Sequence, residues 1–317
     1  MKPWMPGSLP PIGIDKTVLI SLVGEANAAL ARYDGLLAGM VNPAVILSPL
    51  TNQEAVLSSL IEGTQATVEE VLEHEAGQGY DAGKEADIQE VLNYRKALTL
   101  ATEQVVERPI TLSLIASLHQ ILMDSVRGQD KEPGLFRKSQ NWIGQAGCSM
   151  EKATFVPPNP LQLMDYLLEW ERYLGTNDFD PLAQSAIVHA QFEILHPFKD
   201  GNGRIGRLLI PLFLFEKGRL ASPMFYLSEY LEANRDEYYA RLKAITAEDD
   251  WTGWIAFFLR AITHQAKANI ERTRQIMALY EDMKKRVREI THSQHSAVLV
   301  DALFDRSIFK VADFASR

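Results

Sequence analysis

One stretch of this sequence concentrates residues that can do chemistry: His196-Pro197-Phe198-Lys199-Asp200-Gly201-Asn202-Gly203-Arg204-Ile205-Gly206-Arg207. It lies between two apolar segments with helical spacing. Pro197 removes a backbone donor and disfavours helical geometry at His196, so the first helix should end there. Gly201 and Gly203 permit a tight loop with inward-facing N–H groups. Such a run of amides at the start of the next helix is an anion site. Arg204 and Arg207 are three apart on that second helix and share a face. Two guanidinium groups beside an amide nest suit a polyphosphate. Asp200 supplies a hard oxygen ligand of the kind Mg²⁺ takes at phosphate sites. His196 titrates near neutrality when unperturbed and can serve as a general base.

Rival readings are weaker. Gly201, Gly203 and Gly206 match a dinucleotide fingerprint in spacing, but they follow a helix and no βαβ unit surrounds them. There is no GxxxxGK[ST] P-loop. His189 and His196 are seven apart, a conceivable metal pair above Asp200; His189 reads better as a core histidine. A purely structural loop has no need of His, Asp, Asn and two Arg so close together.

The elements that must position this loop are mostly helical. Leu19, Val23, Ala26, Leu30 and Tyr33 mark one face of a helix over residues 16–37. Asn42-Pro43 and Ser48-Pro49 break the chain. A second helical stretch over 51–73 is interrupted at Gly63, with Thr64 or Thr67 available to cap its continuation. Residues 74–84 read as a loop, and helical spacing returns over 86–106 and 111–126. A small hairpin is expected from Gln140–Gly144 and Ala153–Val156, closed by Pro157-Pro158. Further helices are predicted over 160–173, 182–195, 229–245 and 251–290. Ile262, Ile270, Met277, Tyr280, Met283, Val287 and Ile290 form a stripe on the last, read as packing against a neighbouring helix.

Composition narrows the function classes. Of 317 residues, 32 are basic and 41 acidic, giving a formal net charge of −9. That argues against a whole-protein nucleic-acid binder. The single cysteine, Cys148, excludes an intramolecular disulfide and a cysteine-based zinc site. No apolar run approaches the roughly 18 residues of a membrane span. The start, MKPWMPGSLPP, lacks the apolar region of a signal peptide. The expectation is a soluble cytoplasmic protein.

The motif resembles that of the Fic family, HxFx(D/E)GNGRxxR, and matches it at every fixed position. The resemblance extends along the chain. Gly134-Leu135-Phe136-Arg137, Gln140-Asn141-Trp142-Ile143-Gly144 and Phe155-Val156-Pro157-Pro158 are similar to the family's target-docking flap. Ser58-x-x-x-Glu62-Gly63 resembles the (S/T)xxxE(G/N) inhibitory motif of members whose inhibitory helix precedes the core. The resemblance implies an all-α, Fic-type helical bundle with one small β-hairpin flap. It implies four segments: an N-terminal helical region with the inhibitory helix (1–85), a Fic core (86–225), a C-terminal helical extension (226–295) and the start of a winged helix-turn-helix (296–317).

It also implies an activity: transfer of AMP from ATP to a Ser, Thr or Tyr hydroxyl of a target protein, with release of pyrophosphate. On that reading His196 deprotonates the hydroxyl. Asp200 holds Mg²⁺. Gly201, Asn202 and Gly203 with the helix start bind phosphates, Arg204 contacts the phosphate chain and Arg207 the γ-phosphate. Phe198 anchors the loop. Tyr238, Tyr239 and Leu242 line the nucleoside pocket, where Thr246 stands in place of an Asn that some members use for adenine. Trp142, Ile143 and Gly144 present a strand edge to the target. Glu62, braced by Ser58, competes for Arg207. The partners implied are ATP and a hydroxyl-bearing protein, this chain itself included; a homodimer is allowed and a membrane is not.

Two alternatives stand beside transfer. One is hydrolytic removal of AMP from a modified protein, with Glu62 aligning water. The other is a regulator that senses nucleotide while a DNA-binding part acts. The latter rests on Ala297–Phe304, read as a helix, and on residues 307–315, read as a short strand and a helix. These resemble the opening of a winged helix-turn-helix that some Fic proteins carry. The sequence ends at Arg317, before a recognition helix, so the expectation is a chain cut short, without specific DNA binding.

Overall fold

The computed structural model describes residues 2–40, 42–124, 131–145 and 147–310. Helices dominate it. In chain order they are α1 (Lys16–Ala38), α2 (Pro43–Ile46), α3 (Ser48–Ile61), α4 (Val68–Glu75), α5 (Ala82–Glu107), α6 (Leu112–Leu122), α7 (Pro160–Leu174), α8 (Pro181–Leu195), α9 (Asn202–Glu216), α10 (Ser228–Ala233), α11 (Arg235–Glu248), α12 (Trp251–Thr291) and α13 (Ser296–Asp305).

The centre is α9. Every residue from Asn202 to Leu214 is buried. A helix apolar all round belongs in a core, and here the polar exceptions, Asn202, Arg204 and Arg207, fall in its first two turns. Beside it, α8 is buried along most of its length. α3, α5 and α6 pack around this pair, and α1 runs against α12, which also packs on α8. One hydrophobic cluster extends from Leu19 to Ala266. The segment boundary expected at 85/86 falls inside α5.

Local signals explain most element ends. Pro43, Pro49, Pro160 and Pro181 sit in the first turns of their helices, where a missing N–H costs nothing. Thr67 caps α4 in a capping box with Glu70. Asp81 caps α5 by accepting from Gly83 N and Lys84 N, so that helix begins inside the stretch expected to be loop.

Three expectations need correction. The helix predicted over 229–245 is two helices, α10 and α11, broken at Asn234 (φ −122°, ψ 36°). Asn234 Nδ2 donates to Tyr230 O at 2.9 Å, a local bond that competes with helical geometry. The hairpin is reduced to one antiparallel bridge, Ile143 with Phe155. Its bonds are Ile143 N to Phe155 O, 2.9 Å, and Thr154 N to Ile143 O, 2.7 Å. A 3₁₀ turn at Met150–Lys152 uses up the backbone a longer strand would need. The stripe on α12 is buried at Ile262 but Ile290 is 80% exposed. α13 folds back on the intervening part, with Tyr280 edge-on to Phe304. The helix expected over 297–304 is α13; residues 307–310 form no regular element, and the rest of the anticipated winged motif lies outside the described residues.

Candidate active site

The chain reverses sharply between α8 and α9. His196 ends α8 in the left-handed region (φ 46°, ψ 60°), a conformation costly for a residue with a Cβ. Gly201 (φ 74°) makes the second left-handed turn. Between them, the loop folds onto its own core. Phe198 is fully buried, stacked on His119 with ring centroids 3.7 Å apart and on Phe136 at 5.1 Å. Asn202 Oδ1 accepts from Phe198 N at 2.8 Å and its Nδ2 donates to Phe198 O at 2.9 Å. The Asn202 side chain therefore staples the loop, leaving only its backbone for an anion.

The histidines have assigned tautomers. Gly134 N donates to His119 Nδ1 (2.9 Å), so His119 Nε2 carries the proton and donates to Asp200 O at 3.0 Å. His196 Nδ1 faces Glu193 O at 3.3 Å. A carbonyl only accepts, so Nδ1 holds the proton and Nε2 keeps its lone pair. Burial lowers His196 to about 4, against the opposing pull of that carbonyl and of Glu62. The ring is neutral at physiological pH, the form a base needs.

A cavity of about 470 Å³ opens beside it, lined by His196, Glu62, Glu193, Gly203 and Arg207. Ile143, Gly144, Tyr238, Tyr239, Leu242 and Thr246 also line it. It is concave and largely apolar with a few convergent polar groups, the usual form of a small-molecule site. Of the residues singled out by sequence, the cavity brings together His196, Gly203, Arg207, Glu62, Ile143, Gly144, Tyr238, Tyr239 and Leu242, while Ser58, Asp200, Gly201 and Asn202 are not among its lining residues. Tyr238 is buried and its OH meets His189 Nε2 at 3.0 Å, so only its ring is left for the cavity. His189 Nδ1 donates to Gly206 O (3.0 Å), and its ring stacks near Tyr238 and Trp254. It is a core histidine. Tyr239 is 43% exposed at the rim. Trp142 is also at the surface, its Nε1 donating to Cys148 O at 2.8 Å, and it stands outside the cavity lining.

The two arginines part company. Arg204 is buried against α5, its NH1 3.2 Å from Glu90 Oε2, and it does not line the cavity. Arg207 does. Its Nε donates to Ser58 Oγ (2.9 Å), and its NH2 to Ser58 O (2.7 Å) and Glu62 Oε1 (2.7 Å). Burial would raise the Glu62 carboxyl, but the charge and hydrogen bond of Arg207 outweigh it and hold it below its ordinary value. A side chain on Gly203 would run into the Glu62 carboxylate and the Arg207 guanidinium. The carboxylate of Glu62 therefore rests at the N-terminal turn of α9, where an anion is favoured.

Asp200 has a half-exposed side chain; its Oδ1 accepts from Gly201 N at 2.6 Å and lies 3.7 Å from Arg204 NH2. A half-exposed carboxylate beside a phosphate-suited loop has the right chemistry for Mg²⁺, which binds through one or two carboxylates plus substrate phosphates.

Residues not singled out by sequence also bear on the site. Glu54, one turn before Ser58, is buried and accepts from Tyr94 OH (3.0 Å), Ser228 Oγ (2.7 Å) and Ser228 N (3.2 Å), which fixes α3 to α5 and α10. Burial raises it to about 7 despite those bonds. Burial likewise raises Glu193 to about 8, and its Oε1 has no hydrogen-bond partner among the described residues. A glutamate at a core position of an apolar helix was the only sequence signal for either.

The comparisons agree with this architecture. A family model described as "Fic/DOC family N-terminal" matches residues 20–103, and one described as "Fic/DOC family" matches residues 109–214. Protein adenylyltransferase fic-1 of Caenorhabditis elegans is 28% identical over 166 residues, 51% of this chain and 28% of that protein. Probable protein adenylyltransferase aq_aa38 of Aquifex aeolicus is 31% identical over 195 residues, 60% of this chain and 56% of its own length. The chain thus spans little more than half of one such relative and under a third of the other. A crystal structure of a Fic family protein from Desulfovibrio desulfuricans superposes with a TM-score of 0.64 at 21% identity, covering 97% of this chain and 90% of that one. Fic-1 of C. elegans superposes at 0.61 with 19% identity, covering 83% and 75%. The fold is shared, the two family models span α1 to α9 almost without a gap, and the chain belongs to the Fic/DOC family.

Proposed function

We propose that this chain is an autoinhibited protein adenylyltransferase, moving AMP from ATP to a hydroxyl of a target protein and releasing pyrophosphate. The relatives named protein adenylyltransferase support the reaction class. The observation that carries the finer reading is the occupancy of Arg207 by Glu62 and Ser58, in the same cavity as a neutral His196.

His196 Nε2 takes the proton of the attacking hydroxyl while Nδ1 stays bonded to Glu193 O. The oxygen attacks the α-phosphorus in line, and the bond to the β-phosphate oxygen breaks. This chemistry needs position and charge neutralisation above all. The amides of Asn202 and Gly203 at the start of α9 bear the phosphates, Gly201 N joining them only on leaving Asp200 Oδ1, and Arg207, once released, takes the γ-phosphate. Arg204 reaches the phosphate chain only by loosening its bond to Glu90. Asp200 would hold Mg²⁺ brought with the nucleotide, which supplies positive charge to the phosphates. Tyr238, Tyr239, Leu242 and Thr246 flank the nucleoside, and the edge at Ile143–Gly144 docks an extended target segment.

Hydrolytic removal of AMP is the second reading, favoured by the place of the Glu62 carboxylate on the cavity wall with His196. Mass spectrometry separates the two. Transfer predicts a gain of one AMP on a protein incubated with ATP; removal predicts loss of AMP from a modified protein without ATP. A lysate screen with labelled ATP and Glu62→Gly finds the target.

A further inference from the structure

His196 must be held in a left-handed conformation that its own sequence does not favour. The group that holds it comes from another part of the chain. Arg137 is 2% exposed. Its Nε donates to His196 O (2.9 Å), and its NH2 to Leu195 O (3.3 Å) and Pro158 O (2.6 Å). NH1 reaches Ser139 O at 3.4 Å, and its backbone N donates to Pro197 O at 2.9 Å. All these acceptors are carbonyls. Leu195 and His196 supply the last carbonyls of α8, groups a helix end leaves without partners and which favour a cation.

The same guanidinium touches both stems of the flap. Ser139 precedes it and Pro158 follows it, and Gln140 Nε2 to Pro157 O (2.9 Å) closes the neck between them. Asn141, the next residue into the flap, adds Nδ2 bonds to His196 O (3.4 Å) and Phe198 O (3.1 Å). The root of the flap and the end of α8 thus share one rigid joint.

We propose that Arg137 is a positioning residue that locks His196 in register with the target flap, so that a hydroxyl docked on the flap and the base that deprotonates it are set by one guanidinium. This rests on the adenylyl-transfer reading. Arg137 contacts neither Arg207 nor the start of α9 in any of these bonds, so nucleotide affinity is independent of it. Its charge also acts on His196. The charged groups facing that ring are Glu62 at the end of α3 and Asp200 in the loop, which raise its pKa, and Arg137, which lowers it.

The test uses the full chain with Glu62→Gly, in which Arg207 has lost its ion pair and keeps only its bonds to Ser58. Arg137→Lys keeps the charge and loses the fork; Arg137→Gln loses both. ATP affinity by calorimetry should stay within about twofold, while the transfer rate falls on the order of a hundredfold in each, the cost of about 1 Å of misplacement. By histidine NMR, the His196 midpoint should rise by about one unit in Arg137→Gln, the low end of what an adjacent like charge exerts, and stay in place in Arg137→Lys. A role confined to folding predicts lost melting temperature and lost ATP affinity in parallel with rate. That result, or an unchanged rate, or one midpoint shared by all three proteins, overturns the proposal. If Glu62→Gly transfers no AMP, the activity reading fails separately, and the NMR titration still decides whether Arg137 governs His196.

Discussion

Glu62 Oε1 sits 2.7 Å from Arg207 NH2, and the same carboxylate blocks the space beside Gly203 at the start of α9. One side chain thus occupies two places that a polyphosphate would use, the guanidinium and the amide end of the helix.

His196→Ala should abolish transfer and spare nucleotide binding. The phosphate-suited groups lie on α9 and do not depend on the imidazole. A positioned general base contributes roughly 10²–10⁴ in rate. The expected result is at least about a hundredfold loss of rate on that scale, with ATP affinity unchanged by calorimetry. Loss of ATP binding in a protein that still melts cooperatively would remove His196 from the role of base.

Asp200→Asn should raise the Mg²⁺ concentration needed for half-maximal transfer by about tenfold, the weight of one charge-assisted contact. Turnover that follows the same Mg²⁺ curve as wild type would show that Asp200 is not the metal's ligand.

Stability should decline on the alkaline side of neutrality. Burial raises Glu54 to about 7 and Glu193 to about 8. A carboxyl whose folded pKa is raised adds stability that is full below its unfolded pKa and is lost as pH rises through the folded value. His119, His189 and His196 are all lowered by burial, to about 4, 3 and 4. Their contribution is present above the unfolded value of about 6.5 and is lost as pH falls towards those lowered values, so they do not act above it. The melting temperature should therefore fall between pH 6.5 and 8.5, and fall less in Glu193→Gln. A profile identical in wild type and Glu193→Gln would contradict the assignment.

Much of this was legible in the sequence because the signals are local. Pro197 and the two glycines mark the α8–α9 reversal, and Thr67 with Glu70 writes its own cap. Tyr238, Tyr239 and Leu242, which line the cavity, were singled out through the resemblance to the Fic family. What was not legible depends on partners far along the chain. Arg204 and Arg207 share a helical face by spacing, yet Glu90 draws one to α5 and Ser58 draws the other to α3. Arg137 stands in the stretch that resembles the flap and has no role of its own there until α8 brings it the carbonyls of Leu195 and His196. The break at Asn234 is a side-chain bond that periodicity does not register.

In the proposed mechanism Glu62 withholds Arg207 from ATP. The direct measurement is the rate of AMP incorporation into protein from labelled ATP, self-modification included, for wild type, Glu62→Gly and Glu62→Gly with Arg207→Ala. A charge-assisted bond is worth roughly 1.5–3 kcal/mol. The Glu62 side chain is 32% exposed, and solvent screening sets the expectation at the low end, a gain of about tenfold. That gain is expected in Glu62→Gly and its loss in the double variant, since the guanidinium relieved of its ion pair is what the release provides. A Glu62→Gly protein no faster than wild type on any hydroxyl, or a double variant as fast as the single, would contradict that mechanism.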